Sequence, residues 1–257
     1  MTHPHINPDR FHDSAGVPWE GRQLEVNPHA GDDGSADANL ITALAAFKAQ
    51  TAGPEAVIEA IKSARLLVPL VAHVGETGVG AHGQIVDKSA DLNIVSVASP
   101  DGQIALPVFS SVAAMQRWDA KARPVPIEAS RVALAAASEK NGRIILDPGS
   151  DTEFAIRQTA FRAIAENLPW RHPAQNQAIK AAFAAAIDAE PQIENYAIQN
   201  GDPTARLQGP EVLVFLKLVP GSADETALNA LVARLGEAWA ESPEIVRGVD
   251  SIAVKVI

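Results

Sequence analysis

The sequence predicts an α/β (α+β) protein, with an N-terminal mixed-sheet α/β domain followed by a smaller α-β-β-α-β sandwich domain. Three observations predict it. Segments with apolar residues at helical spacing are interspersed with short continuous apolar runs. The connections between them carry Gly, Pro, Asp and Ser, the residues that set turn geometry. The apolar content, 47% of 257 residues, comes mainly from Ala, Val, Leu and Ile, with aromatics at 5%, which suits helices packed on sheets better than aromatic-lined cages.

Residues 1–36 are rich in His, Pro, Asp and Gly, lack either hydrophobic period, and read as an extended or partly disordered arm. One island interrupts the arm, Gly16-Val17-Pro18-Trp19-Glu20-Gly21-Arg22. Trp19 and Arg22 are candidate protein-binding residues there, and a strap packed on its own domain is the other reading.

Asp37 opens a helix carrying Leu40, Ile41, Leu44 and Phe47, and Gly53-Pro54 opens a second with Val57, Ile58 and Ile61. Leu66 to Val74 is a nearly continuous apolar run, as expected of a central strand, and Pro69 within it implies an edge position or a bulge. Residues 75–90 form a Gly-rich hairpin connection. Leu92 to Ala98 and Gln103 to Phe109 flank Ser99-Pro100-Asp101-Gly102, a strong hairpin signal. Ser110 and Ser111 cap a short helix through Met115 and Trp118. A strand at Val125 to Ile127, a helix at Arg131 to Lys140 and a strand at Arg143 to Leu146 follow, ending at Asp147-Pro148-Gly149. Ser150 with Glu153 matches a capping box, so a helix is predicted from there, with Phe154, Phe161 and Ile164 on one face, to about Ala165.

Asn167-Leu168-Pro169-Trp170-Arg171-His172-Pro173 has two prolines and no period, and makes 166–174 a linker between a domain at 37–165 and another at 175–257. Trp170 and Arg171, residue types enriched where partners dock, are further candidate protein-binding residues. Beyond the linker come a helix at Asn176 to Ala189, strands at Ile193 to Gln199 and Val212 to Val219, a helix at Asp224 to Ala240 and a strand at Ser251 to Ile257. Were that last strand at a sheet edge, it offers a surface for pairing with its mate in a homodimer.

The formal charge of -10 is spread evenly, since Pro173 onward holds six basic against eleven acidic residues and the rest fifteen against twenty. Basic residues stand singly, so direct nucleic-acid binding is not expected. No window approaches the run of about 18 apolar residues that spans a bilayer, and Met1 to Asp13 does not resemble a secretory signal, so a cytoplasmic location away from membranes is expected. With no cysteine, disulfides, thiolate metal sites and cysteine nucleophiles are excluded.

The strand Leu66-Leu67-Val68-Pro69, the string Asp101-Gly102 leading to Leu106-Pro107-Val108-Phe109-Ser110-Ser111 and Trp118, and the strand end Leu146-Asp147-Pro148-Gly149 together resemble the SseB family. The front segment Asp32-Asp33-Gly34-Ser35-Ala36-Asp37 is similar to the version in high-GC Gram-positive bacteria, and the C-terminal part resembles that family's second domain in layout. The resemblance covers 30–165 best. It implies an α/β domain plus a smaller domain in the cytoplasm, with no catalytic residues to carry over. It also implies a link to translation, since genes of this subtype often neighbour translation-factor genes, and a link to amino-acid metabolism through serine sensitivity.

No motif reaches a catalytic or cofactor constellation, and neither a cofactor nor a metal is expected. Gly75-Glu76-Thr77-Gly78-Val79-Gly80 lacks the Lys and Ser/Thr of a phosphate loop, with Ala81-His82 in their place. His73, Glu76 and His82 lack helical spacing and a fourth ligand. Asp32-Asp33-Gly34 fails the calcium-loop alternation, and capping by Asp37 or Ser35 accounts for the carboxylates. Ser110 lies at a strand-to-helix turn without a nucleophile elbow. The expected function is that of a non-enzymatic protein-binding or regulatory module with a protein partner. The alternative is a small-molecule, amino-acid-related binder or enzyme, with a pocket uniting the 75–90 loop, Ser110 and Asp147.

Overall fold

Asp37 accepts a hydrogen bond from the Leu40 amide at 3.0 Å and starts helix α1 (Ala38–Lys48), which buries Leu40, Leu44 and Phe47 at the helical spacing expected. Helix α2 (Pro54–Ser63) begins on its proline and buries Val57, Ile58 and Ile61. These elements belong to a computed structural model that describes residues 31–72, 77–79, 85–87, 92–94, 96–138, 142–222 and 224–257.

The chain then builds two neighbouring sheets. Strand β1 (Arg65–Ala72) is followed by the antiparallel pair β2 (Thr77–Val79) and β3 (Ile85–Asp87), then by β4 (Leu92–Ile94), β5 (Val97–Ala98) and β6 (Ile104–Val108). Next come α3 (Val112–Trp118), β7 (Arg123–Glu128), α4 (Ala129–Ser138), β8 (Arg143–Leu146), β9 (Phe154–Arg157) and α5 (Gln158–Ala165). One sheet runs β4-β1-β7 and the other β5-β6-β8-β9, with β6 and β8 parallel. Among the described residues a single bridge, Leu67 to Phe109, links the two.

Pro69 falls between that bridge and Leu70, where pairing of β1 with β4 begins, on a flank of β1 that is not continuously paired. A residue without an N–H is tolerated in such a gap. Pro124 and Pro126 stand two apart on edge strand β7, so both missing donors lie on one flank.

Two expectations are corrected. The run from Leu92 to Ala98 is not one strand: β4 pairs with β1, while β5 pairs with β6 across the Ser99–Gly102 turn, in which Gly102 has φ +80°. The helix predicted from the Ser150 box begins only at Gln158. Ser150 and Glu153 instead satisfy a local turn, Glu153 accepting from the Gly149 amide at 2.6 Å and the Ser150 hydroxyl from the Thr152 amide at 3.1 Å. Phe154 to Arg157 are then buried on both faces, Phe154 and Ile156 in the main core and Ala155 in a smaller cluster. A segment covered on both sides makes a strand that reads as a continuous apolar run.

The C-terminal part forms α6 (Gln177–Ile187), β10 (Ile193–Asn200), β11 (Val212–Leu218), α7 (Glu225–Glu241), a short α8 (Pro243–Gly248) and β12 (Ile252–Val256). Its sheet runs β10-β11-β12, with β10 and β11 antiparallel and β11 and β12 parallel. This is the predicted sandwich with one helix added. Asn176 caps α6 and Asp224 caps α7. Residues 34–257 form one compact unit holding two main apolar cores, one around Leu40, Phe47, Phe154 and Phe161, the other around Phe183, Val214, Leu235 and Trp239.

Candidate functional site

Two arginines end up buried because strands must start and stop somewhere. Arg143 opens β8 and Arg157 closes β9, and the antiparallel register sets them directly opposite each other. Like charges so placed repel, and both are desolvated. Asp250 resolves the conflict: its Oδ1 accepts from Arg143 Nη1 at 2.6 Å and its Oδ2 from Arg157 Nη1 at 2.9 Å. Asp101 takes Arg143 Nε at 2.9 Å, and Asp202 takes Arg157 Nη2 at 2.9 Å, giving three carboxylates for two guanidiniums. Burial opposes ionisation of Asp101, yet hydrogen bonds from Ser99 and the Arg143 charge hold its carboxyl below the ordinary value.

Glu211 lies beside this seam, 1% exposed, accepting from Thr159 Oγ1 and from the Asp250 amide, each at 2.6 Å. Burial pushes its carboxyl up to about 7 in spite of those bonds. His172 is also buried, and burial holds its imidazole down at about 4. Its Nδ1 accepts from the Ala174 amide at 3.2 Å, and its own amide donates to Glu55 at 3.0 Å. A cavity of about 30 Å³ opens among Arg157, Trp170, His172, Asp202 and Glu211, room for a single water.

Asp147 and Ser110, singled out in the sequence, do meet. Ser110 donates its hydroxyl at 2.7 Å and its amide at 2.8 Å to the Asp147 carboxylate, which also takes the Thr152 hydroxyl at 2.8 Å. Asp147 has φ +48°, a left-handed turn that Asp tolerates better than most residues. The carboxylate is occupied as a clamp on the turn after β8, and the capping of α3 falls to Ser111 alone, through the Ala114 amide at 3.1 Å. The 75–90 loop expected to join them lies largely outside the described residues, as do His73, Glu76 and His82.

Trp19 and Arg22 lie outside the described residues as well. Trp170 is half-buried, packs on the N-terminal core and stands 6.0 Å from the His172 ring, whereas Arg171 is exposed. Among the described residues no group of three or more His, Asp or Glu is placed to hold a metal, and no helix is long and apolar enough to cross a membrane.

An open apolar surface lies elsewhere. A groove of about 700 Å³ runs between α7, α8 and β12, lined by Val232, Trp239, Ile245, Val246, Ile252 and Val254. The Trp239 indole N–H is buried with no acceptor among the described residues. A second, more polar pocket of about 220 Å³ has Lys48 and Arg206 on its wall with Asp151 and Glu153.

Residues 40–163 match the family model of the SseB protein N-terminal domain. This stretch of the chain is an SseB domain. No curated protein and no solved structure matches the chain.

The SseB domain thus supplies Asp101, Arg143, Asp147, Arg157 and Thr159, and the residues after it supply Asp202, Glu211 and Asp250. The ion seam is therefore where the matched domain meets the rest of the chain. Sequence reasoning missed these partners. The signal was present only as a charge at the end of an apolar strand, in Arg143-Ile144-Ile145-Leu146 and in Phe154-Ala155-Ile156-Arg157.

Proposed function

We propose that this SseB-domain chain is a non-enzymatic protein-binding or regulatory module. The observation that carries this reading is the contrast between its charged and apolar surfaces. The charges that resemble chemistry, on Arg143, Asp147, Arg157, Asp202 and Asp250 in the interior and on Asp101 at its exposed margin, are each engaged in structural hydrogen bonds. The large groove beside β12 is apolar and open, with Val246 61% exposed on its wall. Exposed apolar grooves of this kind mark interaction surfaces. A cytoplasmic, translation-linked setting is the narrower form of the proposal and rests on family resemblance alone.

Capture of the tagged chain's partners from its native lysate at low and moderate salt, with ribosome sedimentation in parallel, tests the reading. A stoichiometric partner lost in Val246→Glu or in Trp170→Ala supports it. A chain that retains nothing at either salt counts against it and favours the second reading.

That second reading is a binder of small amino-acid-like molecules. The pocket with Lys48 and Arg206 beside Asp151 and Glu153 favours it, because a zwitterion offers a carboxylate to the first pair and an ammonium to the second. A thermal-shift panel decides it, since a ligand at 100 times its dissociation constant adds about 2.7 kcal/mol to stability. An unresponsive panel removes it.

A further inference from the structure

We propose that β12 is the interface of a two-fold homodimer, in which two copies join their C-terminal sheets edge to edge. The proposal deepens the binding-module reading by naming one partner, a second copy of this chain. Three observations carry it.

The first is hydrogen-bond parity. The Val212 amide donates to the Ser251 carbonyl at 3.0 Å and the Ile257 amide to the Leu216 carbonyl at 2.9 Å, so the odd-numbered residues of β12 bond inward to β11. Ile252, Val254 and Val256 therefore turn their N–H and C=O outward, and β12 is the last strand of its sheet among the described residues. Such a row is a template for another strand.

The second is register. An antiparallel pair centred on Val254 and its own copy engages all five residues and exchanges two hydrogen bonds at the centre. Ile252 then faces Val256 of the second copy, and the apolar strip lining the groove continues across the two-fold axis. Lys255 faces Ala253 of the second copy. A pair centred on Lys255 sets two like charges opposite and is disfavoured.

The third is charge. The chain carries a net charge of -10, and the segment from Ser251 to Ile257 holds no acidic residue and one Lys. An edge without acidic side chains adds no like-charge repulsion of its own between two acidic molecules. Lysines on edge strands commonly block pairing, but Lys255 projects from the face away from the groove, its ammonium 5.8 Å from the Phe215 ring centre.

Sedimentation equilibrium of the full chain and of Val254→Pro tests the interface. The Val254 amide points away from β11, so proline removes a donor between copies and leaves the β11 ladder intact. A wild-type dimer whose dissociation constant rises about tenfold or more in the variant, with unchanged circular dichroism, is expected. A second test does not depend on the variant folding. The chain has no cysteine, so Ala253→Cys and Lys255→Cys proteins, mixed under oxidation, form the disulfide dimer faster than either alone. Opposed non-hydrogen-bonded residues lie about 4.5 Å apart, within disulfide reach. A wild type that stays monomeric at every soluble concentration overturns the proposal, as does Ala253→Cys cross-linking alone as fast as the mixture. Either result leaves the capture experiment, which reads a different protein, to decide the broader reading.

Discussion

Arg143 and Arg157 stand opposite each other on neighbouring antiparallel strands, and a single carboxylate, Asp250, lies between them and bonds both. The pairing holds two desolvated cations together with a residue more than 90 positions later than either, and so ties the SseB domain to the terminal strand segment. Removing one member of such a set leaves uncompensated charge in the interior.

Asp250→Ala is accordingly expected to destabilise the fold by about 3–5 kcal/mol, measured by urea unfolding at neutral pH. A loss below about 1 kcal/mol, the level of a surface ion pair, defeats this account of the seam.

Two groups beside the seam give opposite pH dependences. Glu211 is raised when folded, from an ordinary 4.5 to about 7, so the folded state holds its proton longer and stability falls as pH rises from 4.5 through 7. His172 is lowered from 6.5 to about 4, so the unfolded state binds the extra proton and stability rises as pH goes from 4 to 6.5. The wild type therefore shows a muted slope where the windows overlap. Glu211→Gln is expected to uncover the rising limb and His172→Gln the falling one, each of order 3 kcal/mol across its window, read from unfolding free energies at half-unit pH steps. Parallel profiles in all three proteins contradict the assignment.

Asp147 holds a left-handed turn while accepting three hydrogen bonds. Ser110→Ala removes one of them from a buried carboxylate and is expected to lower stability by about 1–3 kcal/mol. Asp147→Ala is expected to lower it further, since it loses all three and leaves an unfavourable backbone angle. Thermal unfolding ranks the two, and the reverse order is inconsistent with the clamp.

Gly209 lies against the carbonyl of Gly201, where an added Cβ would stand only 2.2 Å from the oxygen, and its own carbonyl accepts from Arg157 at 2.7 Å. Gly209→Ala is expected to force the loop between β10 and β11 apart and to lower stability by about 1–3 kcal/mol. Combined with Asp250→Ala, the losses are expected to be non-additive, because both act on the Arg157 guanidinium. A double-mutant cycle with no coupling speaks against a shared site.

Most elements were legible because their causes are local. Leu40, Leu44 and Phe47 mark α1 by spacing alone, and the Ser99–Gly102 turn announces its hairpin through Pro100 and Gly102. The Ser150 box misled for the same reason: its residues do bond one another, but in a turn, and burial from both sides decided that Phe154 to Arg157 extend. Trp170 was singled out because it sits in an irregular proline-rich stretch, and the structure packs part of it against the N-terminal core while leaving it half-exposed.

Local sequence settled most of the helices and strands and where most helices begin, since Asp37, Asn176 and Asp224 reach amides only two or three residues away. Tertiary structure alone decided that β9 is a strand, that Arg143 and Arg157 share Asp250, that Glu211 is driven toward neutrality, and that β12 closes its sheet with an open edge. Those outcomes depend on contacts spanning tens to more than a hundred residues, and on the loss of water around charged groups, neither of which any local pattern of residues encodes.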